Sequence, residues 1–176
     1  MSAPADSIVM VIGLAPGSIT SIGLPLGNMR LALGRSVLAP DLIDLLVGRG
    51  SSDPARIAVA GVSMGACMVY AAVADEPRIS VAVAMLGSPE RPLSDAGRRP
   101  GERFFPTALL SITAGQDAVV PPDAARALHQ RLESCYRARP ERLSYCEIPG
   151  ASHFLQPEEW DGAVARASAW LLSFLS

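Results

Sequence analysis

One stretch, Ile57-Ala58-Val59-Ala60-Gly61-Val62-Ser63-Met64-Gly65, constrains the fold of this chain more than any other part of it. It is a short apolar run, then a Gly-x-Ser-x-Gly turn, then the small-residue segment Met64 to Ala74. That segment is apolar on all sides and suits a helix packed deep against a sheet. A strand that turns sharply into a helix leaves Ser63 in strained backbone geometry, and side chains at Gly61 and Gly65 would collide with neighbouring elements. The turn lifts the serine hydroxyl above the sheet edge and sets it at a helix N-terminus. There the backbone N–H of Met64 can point at a developing negative charge. Five residues of this pattern are weak evidence alone, because glycine and serine are common and a glycine-rich turn can carry a serine by chance. The strand before it and the helix after it raise the signal.

Around this turn, short apolar runs alternate with longer helix-like segments, the pattern of a parallel sheet covered on both faces. The runs are Ile8 to Ile12, Ser36 to Ala39, Ile57 to Ala60, Ser80 to Leu86, Leu109 to Thr113 and Leu143 to Ile148, which makes six strands. Further helices are expected over Asp123 to Tyr136, which follows Pro121 and Pro122, and over Pro157 to Leu175, with Glu158 and Glu159 in its first turn. Leu24 to Leu33 reads as a helix interrupted by Pro25 and Gly27, and Asp41 to Val47 as a short one. Gly87 to Pro106 is rich in proline, glycine and arginine without apolar periodicity, and reads as a loop or minimal cap.

The 176 residues suit one domain spanning 1–176. Hydrophobic residues make up 49% and charged residues 18%, enough for a buried core and too apolar for disorder. The net charge is −2 and every positive charge is an arginine, with no basic face for a nucleic acid. Arg98, Arg99 and Arg103 read as a solvated loop cluster rather than an anion site. Cys67, Cys135 and Cys146 show neither paired nor metal-ligand spacing, which fits a reducing compartment. Met1 to Ser7 lacks the marks of a signal peptide, and no run of about 18 apolar residues suggests a membrane span. A soluble cytoplasmic protein is expected.

A serine hydroxyl needs a base to act as a nucleophile at neutral pH, and the chain offers only two histidines. His129 lies mid-helix in Ala-Leu-His-Gln-Arg-Leu, where a surface or structural role is the ordinary expectation. His153 follows the last strand in Gly150-Ala151-Ser152-His153-Phe154, at a strand's carboxyl end, where open α/β sheets bind ligands. His153 is therefore the candidate base. A carboxylate must orient the imidazole. Asp117, in Gly115-Gln116-Asp117 after the fifth strand, is the candidate; Asp123 is a rival that reads as the cap of the next helix. The chain order Ser63, Asp117, His153 is the one this strand–turn–helix arrangement uses. The second oxyanion donor should come from the turn after the first strand, near Gly13, Leu14 or Ala15, and Leu14 is the choice made here.

With these residues in place the sequence resembles the α/β-hydrolase superfamily, and within it the small carboxylesterases related to dienelactone hydrolases. The likeness covers nearly the whole chain. It is carried by Asn28 to Leu42, by Asp53-Pro54-Ala55-Arg56-Ile57 leading into the serine turn, by Gly115-Gln116-Asp117 with Val120-Pro121, and by Gly150-Ala151-Ser152-His153-Phe154. The resemblance implies a three-layer α/β-hydrolase fold of about six mainly parallel strands, hydrolysis of a carboxylic ester through an acyl-enzyme, and no cofactor or metal. Dienelactone hydrolases proper carry cysteine where this chain has Ser63, which favours an ordinary esterase. The first run matches the strand before the oxyanion loop, so a minimal form without the family's opening antiparallel strands is expected.

No large lid is encoded, so a shallow site taking small acyl esters is expected. Phe104 and Phe105 are placed either to line an acyl pocket or to pack in the core. Thioesterase, amidase or acyltransferase chemistry on the same triad, or a binding protein that has lost turnover, are the alternatives. A homodimer is compatible with so apolar a chain, but no sequence feature marks an interface.

Overall fold

The computed structural model describes residues 6–12, 30–33, 43–44, 52–90 and 95–175. Runs of valine, alanine and isoleucine, poor in charge, can satisfy their backbone groups only by pairing where both faces are covered. Among the described residues they form six strands: β1 (Asp6–Ile12), β2 (Arg30–Leu33), β3 (Ser52–Val62), β4 (Ile79–Met85), β5 (Ala108–Ala114) and β6 (Leu143–Ile148). All adjacent pairs are parallel and the order is β2-β1-β3-β4-β5-β6. The order reverses between β1 and β3, and the carboxyl ends of strands at such a switch point flank a natural crevice.

The period-2 alternation of strands divides the core into two layers. On one face Ile57, Val59, Ala82, Ala84 and Leu109 pack with helix α1 (Met64–Asp75) and helix α2 (Asp123–Leu132), through Val69, Tyr70, Val73, Leu128 and Leu132. On the other, Ala58, Val81, Val83, Met85, Leu110 and Ile112 pack with helix α3 (Pro157–Leu175), through Ala163, Ala167, Leu171 and Leu175. The alanines at strand positions let the helices approach closely. Residues 43–44 are helical, and Ile43 is fully buried on the α1 side.

Three boundaries differ from the sequence reading. Strand β2 lies where a helix over Leu24 to Leu33 is expected: Leu31, Ala32 and Leu33 are good helix formers, but pairing with Val9, Met10 and Val11 overrides that preference. The expected strand Ser36 to Ala39 lies outside the described residues. Strand β3 begins at Ser52, and the register shift between Asp6 and Ile8 lets it pass Pro54, which has no N–H to donate. Helix α2 stops at Leu132, after which Tyr136 leaves the helical line so that its hydroxyl lies 2.6 and 2.7 Å from the carbonyls of Phe104 and Thr107. The described part of residues 87–106 forms two short 3₁₀ turns, and Arg131 on α2 holds it by donating to the carbonyls of Arg99 and Gly97. Among the described residues no helix is long and apolar enough to cross a membrane.

Candidate active site

Ser63 sits between β3 and α1 with φ 54° and ψ −118°, a backbone state that costs a non-glycine residue about 1–3 kcal/mol. The close packing around it shows why the turn requires glycine. A Cβ on Gly61 would lie 2.5 Å from both the carbonyl carbon and the oxygen of Gly65, and one on Gly87 would lie 2.3 Å from the Cβ of Ala66. The first turn of α1 is therefore clamped between the ends of β3 and β4. Two further contacts brace it: Ser63 N–H donates to the Met85 carbonyl at 2.8 Å, and Ser88 N–H to the Cys67 sulfur at 3.4 Å.

Residue Leu86, just beyond β4, also has positive φ, at 57°. Its N–H donates to the Ile112 carbonyl at 2.8 Å, and its side chain is buried with Ala114 and Ala151, against Val62, Ile148 and Leu155. This small apolar cluster joins the ends of β3, β4, β5 and β6 beneath the serine turn. Nothing in the sequence marks a leucine for this backbone state, and the role of Leu86 was not legible there.

The loops after β5 and β6 are joined to each other. Gly115 N–H donates to the Ile148 carbonyl at 2.9 Å and Gln116 N–H to the Ala151 carbonyl at 2.8 Å, while Gly150, at φ 74°, makes the turn. That pairing sets Asp117 and His153 side by side, with His153 Nδ1 2.7 Å from Asp117 Oδ2. The Asp117 side chain is fully buried, and its other oxygen accepts the backbone N–H groups of Val119 and Val120 at 2.9 and 2.7 Å. Because a carboxylate only accepts, Nδ1 is the donor, which leaves the lone pair of Nε2 free on a neutral ring. Ser63 Oγ lies 3.0 Å from that Nε2. A hydroxyl, an imidazole and a buried carboxylate in line can move a proton off the serine and hold the resulting imidazolium. The residue after the serine, Met64, opens α1, where the first N–H groups have no intrahelical acceptor.

The remaining sequence candidates fall elsewhere. Phe104 is fully buried in the α1/α2 core layer, and Phe105 stacks edge-on against Tyr136 at 5.4 Å. Both precede the amino end of β5, whereas Ser63, Asp117 and His153 stand at its carboxyl end, roughly 20 Å away for a seven-residue strand. Of the two readings left open for these rings, core packing is the one observed, because the loop they end crosses to the start of a strand. Asp123 is the first residue of α2 rather than its N-cap, which is Pro122, and it is an exposed partner of Arg126 at 2.8 Å. Leu14 and its neighbours lie outside the described residues. His129 is buried on the α2 side, 2.7 Å from Ser111 Oγ, which is itself 2.7 Å from the Tyr70 hydroxyl. Burial pushes this imidazole down to about 4 and the Tyr70 phenol upward, so both are neutral structural groups. No cluster of three potential metal ligands occurs among the described residues.

The architecture recurs in solved structures. TT1662 of Thermus thermophilus superposes with a TM-score of 0.73 at 19% identity, over 95% of this chain and 90% of that one. A Klebsiella pneumoniae protein assigned as a dienelactone hydrolase gives 0.71 at 16%, over 98% and 90%. The esterase PE8 gives 0.71 at 17%, over 97% and 94%. The chain has the α/β-hydrolase fold. No family model and no curated protein matches the sequence. In the α/β-hydrolase fold the serine turn follows the strand beside the order reversal, which is where β3 places Ser63.

Proposed function

We propose that the protein is a serine hydrolase that cleaves small carboxylic esters through an acyl-enzyme. The observation that carries this reading is the continuous chain from Ser63 Oγ to His153 Nε2 at 3.0 Å and from His153 Nδ1 to Asp117 Oδ2 at 2.7 Å. The strained backbone at Ser63 supports it, as does the fold shared with structures named as esterases.

In the first half-reaction Ser63 Oγ attacks the acyl carbon while His153 Nε2 takes its proton. The carbonyl π electrons move onto oxygen, where the Met64 N–H at the start of α1 donates to them. The second donor is assigned to Leu14 on sequence grounds. Collapse of the tetrahedral adduct breaks the bond to the alcohol, which leaves with the proton from His153. Water then attacks the acyl-serine with His153 again as base, and the acid leaves as Ser63 recovers its proton. Asp117 stays ionised and fixes the ring.

The deciding experiment is turnover of p-nitrophenyl acetate and butyrate by wild type and Ser63→Ala, with fluorophosphonate labelling of both. Hydrolysis and labelling in wild type, both lost in the variant, are expected. A folded wild type with neither activity nor label would leave a binding protein. Turnover of a thioester or anilide above the oxygen ester would move the reading to those alternatives, and a long-chain ester cleaved faster than butyrate would remove the small-acyl assignment.

A further inference from the structure

Exposed apolar side chains scattered singly over a surface are ordinary, but where several gather at one place they mark a binding surface. Among the described residues four are exposed: Met64 at 42%, Val119 at 48%, Phe154 at 78% and Leu172 at 46%. Three of the four stand within two residues of a triad member. Met64 follows Ser63, Val119 lies two residues beyond Asp117 and donates its N–H to that carboxylate, and Phe154 follows His153 with its ring edge-on at 5.5 Å. The triad hydrogen bonds bring these three backbones to one place at the carboxyl edge of the sheet.

Among the described residues, the two loops that carry Asp117 and His153 offer little to an anion. From Gly115 to Pro122 and from Gly150 to Gln156 the only charged or titratable side chains are Asp117 and His153 themselves. Arg126, on the helix after the acid loop, is paired with Glu147 at 2.7 Å and Asp123 at 2.8 Å.

We infer that Met64, Val119 and Phe154 form an apolar rim that seats the acyl chain of a neutral ester, and that the site selects against esters bearing a second carboxylate. The inference rests on the ester-hydrolase reading and names its substrate class. The occupant is the substrate rather than a protein partner, because each rim residue is tied to a different member of the reacting set. The fourth exposed residue, Leu172, lies near the end of α3 whose Leu175 carbonyl accepts from Arg56, at the amino end of the strands.

The test compares kcat/KM for p-nitrophenyl acetate, p-nitrophenyl butyrate and the mono-p-nitrophenyl ester of succinate, whose acyl chain is that of butyrate with a carboxylate in place of the terminal methyl. In wild type, butyrate should exceed acetate by at least ~10-fold, as expected for two added methylenes on an apolar surface. It should exceed the succinate ester by at least ~30-fold, the order expected when a charge meets an apolar wall. The variants are Phe154→Ala with Val119→Ala, and Phe154→Ala alone, with melting curves to confirm folding. The butyrate-to-acetate ratio should fall to within about 3-fold of unity in the double variant, while Leu172→Ala leaves it unchanged.

A ratio that survives the double variant, or that falls equally in Leu172→Ala, overturns the rim. So does succinate-ester turnover matching that of butyrate. A wild type that sediments as a dimer, with Phe154→Ala a monomer of unaltered ratio, overturns it in favour of a self-interface. Failure of wild type to take the fluorophosphonate label is a separate result, which removes the ester-hydrolase reading itself.

Discussion

The backbone N–H of Ser63 donates to the carbonyl of Met85 at 2.8 Å, so the strained serine is tied to the neighbouring strand and not only to its own turn. A positive φ at a non-glycine residue persists when its surroundings over-determine it. Here β3, α1 and the end of β4 all bear on the same residue.

Replacing Ser63 with glycine should remove that strain. We expect Ser63→Gly to lose all turnover yet gain about 1 kcal/mol of stability, raising the midpoint of thermal unfolding by about 2–4 °C. Ser63→Ala should be equally inactive, by about 10⁴- to 10⁶-fold, without that gain. Calorimetry on the three proteins separates strain from chemistry, and an unchanged midpoint in Ser63→Gly would show that the backbone is not under load.

Asp117→Asn keeps an oxygen to accept the N–H groups of Val119 and Val120 but turns an amide toward Nδ1 of His153. An amide donor there forces the wrong tautomer, so kcat should fall by about 10⁴-fold while the melting curve moves little. Pre-steady-state acylation measures it directly.

Burial disfavours the charged form of His129 and pushes its pKa down from the ordinary histidine value of 6.5 to about 4. The folded protein then binds fewer protons than the unfolded chain between these values. Stability is complete above pH 6.5 and is lost as the pH falls from there to about 4, by roughly 3 kcal/mol in all. Urea unfolding across that range should show this loss in wild type and much less of it in His129→Gln. Activity at pH 7.5 should survive the substitution as long as the protein is folded.

Two glycine-to-alanine changes should act in opposite directions. A Cβ on Gly87 meets Ala66 Cβ at 2.3 Å and the backbone of α1 at 2.9 Å, so Gly87→Ala should push the first turn of α1 away. The expected cost is about 1–3 kcal/mol, with reduced kcat. Gly162 in α3 has nothing within 4 Å of such a Cβ, and Gly162→Ala should stabilise by about 0.5–1 kcal/mol with kcat unaltered. Chemical denaturation and p-nitrophenyl ester assays on both variants check the pair.

Much of this protein is determined locally. The strand–Gly-Val-Ser-Met-Gly–helix segment, the limits of β6 and α3, and the candidate trio Ser63, Asp117 and His153 were all legible in the sequence. Each depends on short-range physics: glycine where a close approach leaves no room, apolar runs that must be covered, and loops that must end at one edge of a parallel sheet. Other features depend on partners distant in the chain. Leu31 to Leu33 has helical preferences and becomes strand because β1 offers it an edge. Phe104 and Phe105 sit in the core rather than beside the serine because the preceding loop crosses to the amino end of β5. Leu86 takes a left-handed backbone because the Ile112 carbonyl and a buried cluster hold it there, and His129 is kept neutral by its burial, with Ser111 of another element 2.7 Å from its Nε2. Propensity and spacing act over a few residues, whereas pairing and burial join residues tens of positions apart. Only the tertiary structure therefore decided the edge strand, the depth of His129 and the exposure of Met64, Val119 and Phe154.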